Sequence, residues 1–179
     1  MELMTVIAIV AVMSAIVVPN LLSHRPDAKL KGAARELAGD IQSTRLAAIR
    51  ANEPCRIVFD AANNDYEIWD SQGDADADGD AFNDGDEIKR KEILFSGYKA
   101  GIIYGKGNAA TEVTGGTFTG NSSDFISYSS PDNTLTFNSM GTCNAGYVYL
   151  SNTKGSAYAV GTLSSGIVIL KRWNGTGWE

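Results

Sequence analysis

Carboxylates are the residues of this chain whose types and spacing come closest to a chemistry. Between positions 73 and 87 stand Asp74, Asp76, Asp78, Asp80, Asp84, Asp86 and Glu87, with no base among them. Asp74, Asp76 and Asp78 followed by Gly79 occupy positions 1, 3, 5 and 6 of an oxygen-ligand calcium loop, where the glycine makes the sharp turn. Position 12 is then Gly85, where an EF-hand needs a bidentate glutamate; a frame starting at Asp76 puts Glu87 there but loses the glycine. Neither frame is a complete EF-hand. Two readings follow: a non-EF calcium loop, in which a hard cation with a structural role relieves the repulsion, or a solvated acidic loop between strands.

The remaining chemistry is sparse. The net charge of −6 comes from that one segment, since acids and bases nearly balance elsewhere. One histidine, His24, leaves little material for acid–base catalysis. No Gly-rich phosphate loop, Ser–His–Asp order or Cys–His pair is present, so no enzyme is expected. Cys55 and Cys143 form no zinc motif. They are a candidate disulfide if the head lies outside the cytoplasm, with a loop-closure contribution of roughly 4–5 kcal/mol; otherwise they are two buried thiols.

The elements that must position these groups change character along the chain. Residues 3–22 are apolar except for Thr5, Ser14, Pro19 and Asn20, and no charge falls between Glu2 and His24. About 20 helical residues span about 30 Å, the hydrocarbon thickness of a bilayer. Residues 1–25 are therefore expected to form a transmembrane or assembly helix, kinked at Pro19. Pro26 marks a second break, with Ser23 and Asp27 available as caps. Residues 26–53 continue as an amphipathic helix, with Leu30, Ala33, Ala34, Leu37, Ile41, Thr44 and Ala48 recurring at three and four. From Pro54 the period becomes that of strands. Runs at 55–59, 66–69, 93–95, 101–104, 125–128, 134–137, 147–150, 157–160 and 166–173 are rich in Val, Ile, Tyr, Phe and Thr. The expectation is an α+β chain: one long bent helix packed on a β-rich head, 54–179, built as an antiparallel sheet or a two-sheet sandwich. The stretch 105–123 is expected to be a mobile loop.

Glu2 through Val10, then Ala15-Ile16-Val17-Val18-Pro19-Asn20, resembles the N-terminal segment of type IV pilins and type II secretion pseudopilins. Ala34-Arg35-Glu36-Leu37, Ser43 through Arg50, Val58-Phe59-Asp60, Tyr66-Glu67-Ile68-Trp69 and Lys171 through Gly175 are similar to the GspH/FimT group of minor pilin-like proteins. The resemblance implies a pilin-like fold and an inner-membrane precursor trimmed by a prepilin peptidase, then assembled helix to helix into a filament. Its implied partners are other pilin or pseudopilin subunits, the inner membrane before assembly, and secreted cargo. The head would face the periplasm or lie in an extracellular filament. Glu2 would neutralise the N-terminal amine of a neighbouring subunit, relieving the cost of its burial. The basic leader, the glycine before the cut and the residues between cut and acid are absent here, which points either to a sequence that starts late or to a misplaced start codon. As written it would not be trimmed in the usual way, and the N-terminal methylation that the resemblance implies depends on that trimming.

Some FimT-like minor pilins bind DNA through a basic patch near the C-terminus. Lys171 and Arg172, with Trp173 and Trp178 for stacking, match that pattern on a small scale. Two bases release few counterions, and an edge strand protected by charge is the plainer reading. The expected function is thus a structural minor pilin-like subunit of a type II secretion pseudopilus or type IV pilus. The alternatives are a DNA-binding minor pilin and a membrane-anchored calcium-binding adhesion domain.

Overall fold

The computed structural model describes residues 2–71, 88–95, 101–118, 125–128 and 133–179, without the side chains of 2, 8 and 15–24. One helix, α1 (Glu2–Ala51), runs through both Pro19 and Pro26. The break expected at Pro26 does not occur. A proline removes one intrahelical bond, but the turns on either side keep theirs and the second half is held by tertiary packing. Leu30, Ala33, Ala34, Leu37, Ile41, Thr44 and Ala48 are all fully buried on one face, as their spacing requires. The helix stops where Asn52 adopts a positive φ of 58° and the Glu53 amide donates to the Ala48 carbonyl. That is a Schellman cap, and Pro54 prevents any continuation.

Eight strands follow: β1 (Cys55–Asp60), β2 (Asp65–Asp70), β3 (Ile88–Leu94), β4 (Ile102–Tyr104), β5 (Thr134–Phe137), β6 (Gly146–Asn152), β7 (Ala157–Thr162) and β8 (Val168–Arg172). They make two antiparallel four-stranded sheets, in the orders β3-β2-β1-β5 and β4-β6-β7-β8. Asp60 sets the β1–β2 turn by accepting from the amides of Ala62 and Asn63 at 2.8 and 3.1 Å. These bonds, the Asn63 amide first, hold the Asp60 carboxyl below its ordinary pKa. Both sheets share one core with α1. Ile57, Phe59, Tyr66, Leu135 and Phe137 come from one sheet, and Val148, Leu150 and Val160 from the other.

Two expectations are corrected. Residues 125–128 form no strand and make one bridge, Ile126 to Val148, because Phe125 takes a positive φ of 55° that interrupts the extended run. The described part of the supposed mobile loop, 105–118, is pinned down. Asn108 donates to the Gly155 carbonyl at 2.8 Å, Val113 to the Tyr149 hydroxyl at 3.2 Å, and Phe118 packs edge-on to Tyr149 at 5.0 Å.

Candidate assembly surface

The N-terminal end of α1 is bare. Leu3, Met4, Val6, Ile7, Ile9, Val10, Val12 and Met13 are all more than half exposed, from 56% at Val10 to 78% at Met4. At 100° per residue these positions encircle the helix, so the end is apolar on every side. A helix of that kind is buried in its working state, and so large an apolar surface marks an interaction site. Among the described residues no helix is long and apolar enough to cross a membrane. The carboxylate of Glu2 and the ring of Pro19 lie outside the described side chains; both residues belong to α1.

Three polar ties fasten the other half of α1 to the head. Near its start, Asp27 Oδ1 accepts from Asn152 Nδ2 at 2.7 Å and Ser156 Oγ at 2.8 Å, and Oδ2 lies 3.9 Å from Lys154 Nζ. The residue expected to cap a second helix thus binds the β6–β7 turn instead. In the middle, Asp40 accepts from the buried Tyr66 hydroxyl at 2.7 Å and from Lys91 Nζ at 2.8 and 2.9 Å. Burial first, then this carboxylate, pushes the Tyr66 hydroxyl far above its ordinary pKa, so it stays a donor. Near the end, Arg45 Nε donates to the Gly141 carbonyl at 3.0 Å and its Nη2 to the Ser165 carbonyl at 3.5 Å. Gly141 and Gly166 have φ of +76° and +78°, and a Cβ on Gly166 would meet both the Gly141 carbonyl oxygen and Arg45. Sequence reasoning missed all three ties, since a charge on a polar helix face gives no sign of its distant partner.

The C-terminal basic pair is not brought together. Consecutive strand residues point to opposite sides of a sheet. Arg172 lines a hollow on the helix side with Asp27 and Lys31, whereas Lys171 Nζ donates to the Trp178 carbonyl at 3.3 Å. Trp173 is only 8% exposed and packs against Trp178 at 5.5 Å, and Trp178 Nε1 donates to the Thr111 carbonyl at 2.7 Å. The tryptophans close the end of the second sheet rather than offering free faces for stacking. β8 is an edge strand, and its end is covered by the returning C-terminus through paired bonds of 2.8 and 3.0 Å between Arg172 and Glu179.

The candidate disulfide is not formed: Cys55 is a buried free thiol and Cys143 a half-buried one. Phe137 pairs with Cys55 on one side and bridges to Cys143 on the other. Two strand spacings, about 10 Å, therefore separate the cysteines, against the roughly 4.4–6.8 Å a disulfide needs between Cα atoms. Asp74, Asp76, Asp78, Asp80, Asp84, Asp86 and Glu87 lie outside the described residues. Among the described residues no group of three or more His, Cys, Asp or Glu is placed to hold a metal ion.

Residues 33–166 match the family model described as type II transport protein GspH. Among solved structures, the minor pseudopilin EpsH from the type 2 secretion system of Vibrio cholerae superposes with a TM-score of 0.54 at 10% identity, covering 79% of this chain and 95% of that one. A second crystal structure of EpsH gives 0.50 at 12% identity, over 80% and 93% of the two chains. The type IV minor pilin FimU of Pseudomonas aeruginosa gives 0.47 at 12% identity, over 83% and 95%. No match to a curated protein sequence is found. The EpsH superposition shows a shared fold: a long N-terminal helix laid on antiparallel sheets.

Proposed function

The chain belongs to the GspH family of type II transport proteins and is a structural minor pilin-like subunit of a type II secretion pseudopilus or type IV pilus; from that premise we propose how its parts serve assembly. The free end of α1 packs into a bundle of neighbouring subunits' helices, and Glu2 sets register by pairing with a neighbour's N-terminal amine. Before assembly the same apolar surface is kept in the inner membrane, with the head on the periplasmic side. The observation that carries this reading is the contrast within one helix, apolar all round over residues 3–13 and one-sided from residue 30. Only burial against other chains or lipid removes the first surface from water.

Photo-crosslinking from Ile9 in the native membrane, followed by mass spectrometry, tests the proposal. Other pilin or pseudopilin subunits are expected among the adducts, and Glu2→Ala should reduce them. Adducts with lipid alone would overturn the assembly reading in favour of a simple anchor. Calcium enters the proposal as a structural ion held by the acids of 73–87, on charge density alone. Calorimetric titration with calcium chloride is expected to show binding that Asp76→Asn with Asp78→Asn weakens. The placement of Lys171 and Arg172 on opposite faces of β8 argues against DNA uptake through that pair.

A further inference from the structure

Between α1 and the second sheet lies a hollow of about 190 Å³ lined by Asp27, Ala28, Lys31, Ser156, Tyr158 and Arg172. Its only acid is already engaged, because Asp27 binds Asn152, Ser156 and Lys154. Lys31 and Arg172 are both exposed. Among the described residues neither the Lys31 ammonium nor the Arg172 guanidinium makes an ion pair or hydrogen bond, and the Tyr158 hydroxyl makes none either. Two cations and a hydroxyl donor therefore face one small space without an acceptor.

We propose that this hollow is an oxyanion site that takes the carboxylate of an aspartate or glutamate presented by an adjoining pilin-like subunit. The guanidinium of Arg172 offers a planar fork suited to bidentate carboxylate binding, and Lys31 adds a point charge from the other wall. A hollow of this volume has room for one such group. Position selects a protein partner: the hollow lies on the flank of α1 against the head, on the same helix whose bare apolar end neighbours must cover. Helix-to-helix packing brings a neighbour's flank or head to that height, and opposite charge there fixes register where apolar contact alone would slide. This inference rests on the assembly reading.

Zero-length carbodiimide coupling of the full chain in cells, with its pilin-like partners present, tests it. The reagent joins an amine to a carboxylate only where the two are already paired. Peptide mapping is expected to find Lys31 joined to an aspartate or glutamate of another pilin-like subunit, with the yield falling about tenfold in Arg172→Gln as one charge-assisted pair is lost. A melting curve of Arg172→Gln matching the wild type excludes misfolding as the cause. Lys31 joined only to Asp27, or only to acids of 73–87 in its own chain, overturns the proposal. So does the absence of any Lys31 adduct while photo-crosslinks from Ile9 still capture neighbours. Loss of both sets of adducts brings down the assembly reading itself.

Discussion

Asp40 does the work of two residues, holding the hydroxyl of Tyr66 on β2 and the ammonium of Lys91 on β3 from one position on α1. Asp40→Ala leaves a fully buried hydroxyl without its acceptor, and urea unfolding should show a loss of about 1–3 kcal/mol. Tyr66→Phe should cost less, since Asp40 keeps Lys91. The thiols give a second test. Burial, then the nearby Asp70, pushes Cys55 up to about 12, and burial raises Cys143 as well. At pH 8 a disulfide-exchange reagent should label half-buried Cys143 slowly and Cys55 only after denaturation. The sign for stability follows from linkage: the folded state keeps a Cys55 proton that the unfolded chain gives up near pH 9. This contribution is therefore complete below pH 9 and declines as pH rises toward 12. At this scale little of the site was legible. Asp27 read as a cap, Asp40 and Arg45 only as charges on the polar side of a helix, and each partner lies on a different part of the fold.

At the scale of elements the pattern was far more readable. The buried stripe of α1 followed from apolar spacing, because a 3.6-residue period puts those side chains on one side whatever they pack against. Leu37→Ala, at its centre and fully buried, should destabilise the head by about 2–5 kcal/mol in denaturant titration. Leu46→Ala, 44% exposed on the same helix, should stay within about 0.5 kcal/mol. Gly166→Ala is expected to lower stability by more than about 1 kcal/mol, because it strains a positive φ and displaces Arg45 from its seat. The strand runs were legible for the same reason as the helix, through alternation and β-branched composition. The run at 125–128 misled because its composition suits a strand while the φ of Phe125 does not. Pro26 misled in the opposite sense: local preference argued for a break, and a long helix held by tertiary packing ran through.

For the whole molecule, the arrangement is a bare apolar shaft fastened at three points to a two-sheet head. Load applied to the shaft therefore reaches the head through Asp27, Asp40 and Arg45 as well as through the shared core. Ile9→Glu should leave the thermal unfolding of the head within about 0.5 kcal/mol of wild type, since Ile9 is exposed. The same change should abolish photo-crosslinks to neighbouring subunits from adjacent positions, because a charge inside an apolar helix bundle is costly unless paired. Crosslinks that survive it would mean that the shaft is not where subunits meet.

Fold class, the division of α1 into an all-apolar and a one-sided half, seven of the buried helix positions and seven of the strands follow from the sequence alone, with β3 caught only at residues 93–94. Periodicity and composition are local properties, and any chain of this pattern must bury the same faces. Tertiary structure alone decided the rest. It set Phe137 between the two cysteines, gave Asp27 to the β6–β7 turn and left Lys31 facing Arg172 across a hollow. Those outcomes depend on which strands pair and in what register, and a one-residue shift in register would change which side chains meet.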